Sequence, residues 1–416
     1  MSGGRHPARL ALWLTAASLL LLAANLRPLF SSMSVLLPDL TRGLGLNNAQ
    51  AGYLTTLPVL CMGLFAPLAP RLAWRIGIER TLFLVLICIW LGTALRGSMG
   101  VPGLFTGTAL AGAGIALGNV LLPSLVKRDY ASHAALMTGL YTMSLVGGAA
   151  LGAAATLPLA HGLGLGWAGG LALWAIPALL ALLAWAPVAA CAGNPGTSSV
   201  QRILPVRGLH RDGLAWAVTV FMGLQSALAY SVMGWMAPIL RDRGLSGTEA
   251  GLVTSISIVV QVISCLLVPI LAGRFRDQRL LAVLLTLIAT LSLIGMTVGP
   301  LSLVWPLAFL QGIGQGGMFA LAVMLIVLRS RDSHVAAHLS GMSQTSGYLL
   351  ACLGPLLIGL LHQWTGGFHG ASILMGVLGA VSGVAGWFAG RNALVNAQVV
   401  EPRAPAARNA PGPSPG

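Results

Sequence analysis

The stretch PDLTRGLGLNNAQAGYLTT at residues 38–56 recurs two hundred residues further on as PILRDRGLSGTEAGLVTS at residues 238–255. Each copy lies where one long apolar run ends and the next begins. Two shorter matches follow nearly the same spacing, and these are AGAG at 111–114 with QGIG at 311–314 and TGL at 138–140 with SGM at 340–342. Several matches in register indicate that the chain is a tandem duplication.

Composition places both repeats in a membrane. Of the 416 residues, 56% are hydrophobic and only 8% are charged, and the mean hydropathy is +0.86. A soluble domain carries about 25% charged residues, and long apolar runs without alternation are typical of transmembrane helices. The net charge of +14 does not indicate a nucleic-acid partner, because the basic residues lie in short clusters between apolar runs. We therefore expect the lipid bilayer to surround the protein.

Hydropathy windows of about 20 residues predict an all-α membrane protein with twelve transmembrane helices in two six-helix halves. The N-terminal half is predicted at 1–190, a cytoplasmic linker at 191–213 and the C-terminal half at 214–395. The Pro- and Ala-rich segment 396–416 is predicted to be a disordered cytoplasmic tail, because it buries too little apolar surface to fold. The spans are predicted at 10–38, 49–70, 81–98, 101–124, 134–157, 167–190, 214–240, 249–272, 280–298, 301–328, 337–361 and 368–389.

The distribution of positive charge predicts the orientation. Cytoplasmic loops of membrane proteins carry an excess of Lys and Arg. With the N-terminus inside, eighteen basic residues lie on the cytoplasmic side, and only Arg42, Arg96, Arg241 and Arg243 lie outside. Both termini are therefore predicted to be cytoplasmic.

Arg27 is the outstanding candidate for a functional residue. It lies near the middle of the first apolar run, and all nine carboxylates of the sequence fall in or beside polar breaks. An ionised residue at bilayer depth costs roughly 3 kcal/mol, and such residues usually face a water-filled cavity. Pro28 lacks an N–H and its ring clashes with the carbonyl of Ala24, so the helix is predicted to bend there. We predict that Arg27 binds an anionic or electron-rich substrate, and the alternative is that it anchors the bend.

Other polar side chains in the predicted spans are candidate substrate contacts. Asn25 flanks the bend, and Ser31 follows Arg27 by four residues on the same helix face. An amide in a transmembrane helix either contacts substrate or bonds a neighbouring helix, and both alternatives stay open here. The remaining candidates are Asn119, Tyr141, Gln225, Tyr230, Gln311, Gln315 and Gln344.

Motifs for other classes of protein are missing from the sequence. The five cysteines are scattered singly without metal-ligand spacing, and no HExxH helix, Ser/His pair or pair of membrane Asp residues is present. No glycine run precedes a GK[ST] of a phosphate-binding loop. We therefore predict a transporter rather than an intramembrane enzyme or a channel, with no cofactor and no metal.

Four stretches carry a resemblance to known proteins, namely ANLRP at 24–28, AGAGIALGN at 111–119, GLQS at 223–226 and GPLLIG at 354–359. In these stretches the chain resembles the major facilitator superfamily and, within it, the cyanate porter (cyanate and nitroimidazole transporter) family. One departure is Pro70, which stands where the loop between the second and third spans of that superfamily carries Asp.

This resemblance implies a secondary transporter of the bacterial inner membrane that works as a monomer. Its two halves would rock about a central site and open it to one side at a time. The implied substrate is a small anionic or polar compound, with a cyanate-like anion favoured. The alternative is efflux of neutral nitroimidazole or drug-like compounds.

Overall fold

The structure is a computed structural model that describes residues 5–130, 134–192 and 206–399. These residues form a bundle of helices with one two-stranded ribbon. The helices are α1 (Arg5–Ala24), α2 (Pro28–Leu44), α3 (Asn48–Phe65), α4 (Leu68–Ile76), α5 (Ile78–Arg96), α6 (Gly100–Asp129), α7 (Ala134–Gly162), α8 (Trp167–Ala172), α9 (Ala175–Ala190), α10 (Gly213–Ser231), α11 (Ala237–Asp242), α12 (Gly247–Ala272), α13 (Arg279–Val298), α14 (Val304–Leu328), α15 (Ser333–Ala351), α16 (Leu353–Thr365) and α17 (His369–Ala389).

Short elements connect these helices. A π-helical segment at Val232–Met236 joins α10 to α11, and strands β1 (Val206–Arg207) and β2 (Gln398–Val399) pair antiparallel. Strand β1 lies in the predicted linker, and β2 lies at the start of the predicted tail. Most of that linker, at 193–205, and the rest of the tail, at 400–416, lie outside the described residues.

The transmembrane count agrees with the sequence-based prediction of an all-α twelve-helix fold. Eleven segments of the described chain are long and apolar enough to cross a membrane, and α3 with α4 makes the twelfth as a pair bent by 60°. The predicted span at 49–70 is therefore not one straight helix. Pro67 explains the break, because proline lacks the N–H that would bond the carbonyl four residues earlier and its ring clashes with that carbonyl.

The repeat is visible in matching caps and contacts. The helices α3 and α12 both begin with a capping box, in which Asn47 pairs with Gln50 and Ser246 pairs with Glu249. The matched glycines also pack alike. Those at 112 and 312 contact the second helix of their half (α3 and α12), and those at 114 and 314 contact the third (α5 and α13).

The first span breaks where Pro28 predicts it. Helix α1 ends at Ala24, and Pro28 occupies the first turn of α2, so that Arg27 lies at the junction. The freed Ala24 carbonyl meets α7 at Gly148, where an added Cβ would lie 1.9 Å from the carbonyl oxygen. Gly148 therefore lets α7 approach the break.

The seventh span is also irregular. Helix α10 runs to Ser231 and then widens into the π segment, a feature that is frequent at functional sites. Inside it, Trp235 is buried and donates its indole N–H to the Pro355 carbonyl of α16 at 2.9 Å. Both irregular spans thus flank the centre of the bundle.

The two halves contact each other closely at one end of the bundle, which we call the Arg241 end. Arg241 of α11 forms an ion pair with Asp39 of α2, with contacts of 3.1 and 3.2 Å, and also donates to the Val35 carbonyl. Glycines at 52 and 359 bring α3 and α16 into backbone contact.

We call the opposite end the Arg329 end, after the residue that directly follows α14. The contacts of Val35, Asp39 and Gly52 with the C-terminal half all lie at the Arg241 end. These contacts hold the two halves together there.

Candidate functional site

Arg27 lies between the halves and donates to a residue of the other half. Its Nη1 lies 3.1 Å from the hydroxyl oxygen of Tyr230 on α10. The guanidinium carbon also lies 5.6 Å from the centre of the Tyr230 ring and 5.9 Å from that of Phe30. Contacts at this distance between a cation and aromatic rings are attractive. Arg27 thereby links the break in the first span to the seventh span.

Aromatic and sulfur side chains complete the surroundings of Arg27. Phe30 and Tyr230 lie with their ring centres 5.3 Å apart, and Tyr230 meets Tyr348 of α15 edge-on at 6.3 Å. The Tyr230 hydroxyl also donates to the Met62 sulfur of α3 at 3.3 Å. We refer to these five residues (Arg27, Phe30, Met62, Tyr230 and Tyr348) as the Arg27 cluster. Two of its helices belong to the N-terminal half and two to the C-terminal half.

The charge of Arg27 is not neutralised within the described chain. Each of the four ion pairs found among residues 5–130, 134–192 and 206–399 uses another arginine. Arg27 is only partly accessible, and its Nε is buried without a hydrogen-bond partner. A guanidinium offers five donors in a planar fork, of which one is used here. The cluster therefore combines spare donors and a positive charge with flat aromatic faces.

A second group of polar side chains lies within the C-terminal half. Gln225 of α10 donates to Ser226 at 2.8 Å and to the Met222 carbonyl at 3.1 Å, and Gln315 of α14 donates to the Gln225 carbonyl at 2.9 Å. Both glutamines are buried. These bonds tie α10 to α14, which is the role of interhelical amides in membrane proteins.

Gln311 lies on α14, one helical turn before Gln315. It is fully buried and accepts a hydrogen bond from Ser257 of α12. The Gln311 Nε2 and the Gln315 Oε1 are both buried without a partner. No hydrogen bond connects these amides to Arg27 within the described residues, so the structure does not bring them into the Arg27 cluster.

Asn25 and Ser31, two candidates close to Arg27 in sequence, lie against neighbouring helices. Asn25 is buried and donates to the Leu21 carbonyl at 2.8 Å and to the Pro177 carbonyl of α9 at 3.2 Å. Ser31 is buried without a hydrogen-bond partner, and its hydroxyl packs against Gly152 of α7. Asn25 therefore holds the broken span to α9, and Ser31 lies at the contact with α7.

The remaining candidates lie apart from one another. Asn119 is partly buried on α6, and its Nδ2 has no partner. Tyr141 is a partly buried residue of α7 that packs on the hydrophobic core. Gln344 donates to Ser340 one turn earlier in α15, at 3.0 Å. Among the described residues, Arg27 is joined directly to one other sequence-based candidate, Tyr230.

Sequence reasoning missed two members of the cluster, Phe30 and Met62, whereas Tyr348 is one of the polar side chains that the predicted eleventh span offers to a central site. Phe30 follows Arg27 by three residues, so helical spacing was the signal that could have found it. Met62 comes from a distant part of the chain, and nothing in its local sequence points to Arg27. Within the described ranges, no group of three or more His, Cys, Asp or Glu could hold a metal ion.

A bundle of two repeated halves with an unneutralised cation between them defines a membrane transporter. Comparison with known proteins identifies the family. The model of the Major Facilitator Superfamily matches residues 14–308 and 215–414, and the chain belongs to that superfamily.

Curated relatives cover nearly the whole chain. The 2-nitroimidazole transporter of Escherichia coli (strain K12) is 38% identical over 377 residues, which are 90% of this chain and 95% of that protein. The cyanate transport protein CynX of the same organism is 30% identical over 351 residues, or 84% and 90% of the two chains. The uncharacterized transporter YycB of Bacillus subtilis (strain 168) is 39% identical over 383 residues, or 91% and 94%. These relatives confirm the resemblance to cyanate and nitroimidazole transporters and the prediction that the chain is not an enzyme.

Solved structures agree on the fold. A bacterial homologue of the human lysosomal transporter Spinster, in an inward-facing and occupied conformation, superimposes with a TM-score of 0.73 at 16% identity, covering 93% of this chain and 97% of that one. The D-xylose-proton symporter gives a TM-score of 0.69 at 14% identity, with 91% and 96% covered. The protein is thus a multi-pass membrane transporter of small molecules with the major facilitator fold.

Proposed function

We propose that this transporter carries a small, planar nitroaromatic compound of the nitroimidazole type and binds it at the Arg27 cluster. The observation that carries the proposal is the position of Arg27, which is unneutralised, lies between the halves and contacts the rings of Phe30 and Tyr230. A nitro group offers two oxygen acceptors in one plane, which matches the fork of a guanidinium better than a single ammonium donor would. Arg27 would therefore orient the nitro group.

The aromatic side chains of the cluster favour a flat ring over a linear ion. Ring pairs are attractive in offset or edge-on arrangements, with centres 4.5–7 Å apart. Phe30, Tyr230 and Tyr348 offer such faces from both halves, so a substrate lying among them would contact both. The 38% identity to a 2-nitroimidazole transporter supports the same choice.

A cyanate-like anion is the second candidate substrate. Among the described residues, no carboxylate lies at ion-pair distance from Arg27, and a monovalent anion would cancel that charge. This would lower the cost of enclosing the site between the halves. The 30% identity to a cyanate transport protein supports this alternative, although a linear ion would make little use of the aromatic faces.

Alternating access would follow from two sets of contacts between the halves. The Asp39–Arg241 pair and the glycine contact of α3 with α16 close the Arg241 end. If both termini are cytoplasmic, as the positive charges favour, that end is periplasmic and the described conformation is closed towards the periplasm. Substrate can drive the exchange only by binding the two conformations with different affinity, and rings supplied by both halves provide such a difference.

Transport by the purified protein in liposomes tests the proposal. We expect uptake of 2-nitroimidazole by the wild type, its loss in Arg27→Gln, and weakened transport in Arg27→Lys, which keeps the charge but not the fork. Arg42→Gln, at an exposed position of α2, is the matched control and should transport normally. Wild-type transport by Arg27→Gln would refute the assignment of the site.

The membrane potential separates the two substrate classes in the same liposomes. Movement of one charge across the membrane changes the free energy by about 2.3 kcal/mol per 100 mV. Accumulation of a neutral nitroimidazole, moved alone, should not respond to an imposed potassium diffusion potential. A cyanate-like anion should accumulate roughly 50-fold more per 100 mV on the positive side, which follows from that free energy.

A further inference from the structure

Two apolar grooves run along α17 on the side of the C-terminal half. The first lies between α13 and α17, has a volume of about 470 Å³ and is lined by residues that include Thr286, Gly383 and Trp387. The second lies between α10 and α17, has a volume of about 410 Å³ and includes Trp216 and Arg391. Helix α17 therefore has a groove on each flank.

The grooves have the length of one membrane leaflet. Along α17, the first extends from Gly376 to Trp387 and the second from Val381 to Arg391. At 1.5 Å per residue, each is about 15 Å long, which is half of the roughly 30 Å hydrocarbon core. The second lies in the half of α17 that leads to the Arg329 end, and the first reaches from near that end past the middle of the helix. Their shape thus suits acyl chains that reach from the lipid headgroups to the bilayer centre.

Arginine and tryptophan lie together at the Arg329 end of both grooves. In the first groove, the guanidinium of Arg279 lies over the Trp387 ring at 5.3 Å. In the second, Arg391 lines the groove together with Trp216. Tryptophan is enriched at the level of lipid headgroups, so these residues mark the interface. The grooves therefore meet a positively charged surface where headgroups lie.

The two arginines are neighbours on one rigid platform. The amide of Gln278, which precedes Arg279, donates to the Gly390 carbonyl at 2.9 Å, and Gly390 directly precedes Arg391. Buried Arg329 holds the same platform by donating to the Gly390 carbonyl at 2.9 Å. The Nε atoms of both arginines are buried without a hydrogen-bond partner.

We propose that α17 carries a binding site for one anionic phospholipid, with its headgroup phosphate on Arg279 and Arg391 and its acyl chains in the two grooves. Charge complementarity supports this occupant. Exposed Asp277 lies 3.5 Å from the Arg279 Nε and offsets part of that charge, whereas Arg391 takes part in no ion pair within the described residues. Two arginines above two leaflet-length grooves suit an anionic headgroup on a two-chain lipid.

Native mass spectrometry of the delipidated full chain tests the headgroup. The protein is titrated with phosphatidylglycerol or with phosphatidylcholine of the same acyl chains. Each arginine near the membrane surface contributes about 1 kcal/mol towards the binding of an anionic lipid. Two arginines therefore predict that the first phosphatidylglycerol molecule binds roughly 30-fold more tightly than the first phosphatidylcholine molecule. The double variant Arg279→Gln/Arg391→Gln should lose that preference. The matched control is Arg274→Gln/Arg276→Gln, at exposed positions of the same end, which should keep it.

A groove-filling variant tests the acyl chains. A Cβ on Gly383 would meet the Thr286 Cγ2 at 3.8 Å, an ordinary contact, so Gly383→Leu should fold and fill the first groove. We expect this variant to lose most of the tightly bound phosphatidylglycerol while all arginines remain. Equal wild-type affinity for the two lipids, an unchanged preference in the double arginine variant, or wild-type lipid binding by Gly383→Leu would each overturn the proposed site.

Discussion

Replacement of Asp39 by Asn should open the Arg241 end. The ion pair with Arg241 is formed by both guanidinium Nη atoms, at 3.1 and 3.2 Å, and the side chains are only 31% (Asp39) and 18% (Arg241) exposed. Fully exposed pairs contribute 0.2–1 kcal/mol, and bidentate, partly buried pairs contribute more. We therefore expect the closed conformation of the Arg241 end to lose about 1–2 kcal/mol of stability relative to the open one, which lowers the ratio of closed to open molecules roughly 5- to 30-fold.

Distance measurements between spin labels can follow this shift. A pair that replaces Arg42 and Thr248 reports on the Arg241 end, and a pair that replaces Arg75 and Arg276 reports on the opposite end; all four positions are exposed. In Asp39→Asn, the first pair should gain a longer distance and the second a shorter one. The anticorrelated change is the signature of halves that rock about the central site.

The matched control is Asp242→Asn, which removes an exposed carboxylate next to Arg241 that takes part in no ion pair among the described residues. Its distance distributions should equal those of the wild type. Unchanged distances in Asp39→Asn would show that the ion pair does not hold the closed end. A change at one end without an opposite change at the other would contradict the rocking of the halves.

Two further substitutions test the packing of the N-terminal half. Arg96 is fully buried and none of its three guanidinium nitrogens has a partner, so Arg96→Met should raise the free energy of unfolding by roughly 1–4 kcal/mol. The control Arg42→Met, at an exposed position, should leave the melting temperature unchanged. A lower melting temperature for Arg96→Met would mean that the charge has a partner. Gly148→Ala places a Cβ against the Ala24 carbonyl and should lower the free energy of unfolding by about 1–3 kcal/mol. The control Gly147→Ala, with open space around it, should be neutral or slightly stabilising. Equal melting temperatures of the two variants would refute the close approach of α7 to the break.

The sequence predicted the architecture because duplication and hydropathy leave marks at known positions. Pro28 acts locally, so the break that it causes can be predicted before any tertiary contact is known. The bend after α3 was missed, although Pro67 was visible, because the apolar run continues past it. The π segment at Val232–Met236 was missed as well, since its local sequence carries no signal that distinguishes it from an α-helix.

The candidate site was less predictable, because hydropathy does not report the rotation of a helix about its axis. Gln225 and Gln315 look from sequence like substrate contacts, yet they bond each other across α10 and α14. Asn25 lies two residues from Arg27 but turns towards α9. Met62 is apolar and distant in sequence, so only the folded arrangement associates it with Tyr230.

Ligand-induced thermal stabilisation of the detergent-purified protein shows directly whether substrate binds at Arg27. Wild type and Arg27→Gln are compared in parallel with 2-nitroimidazole, cyanate, nitrate and short carboxylates. We expect the nitroimidazole to stabilise the wild type most, cyanate to give any smaller shift in melting temperature, and both shifts to vanish in the variant. Equal stabilisation of wild type and Arg27→Gln would contradict this expectation, and would leave Arg27 as a structural residue of the break between α1 and α2.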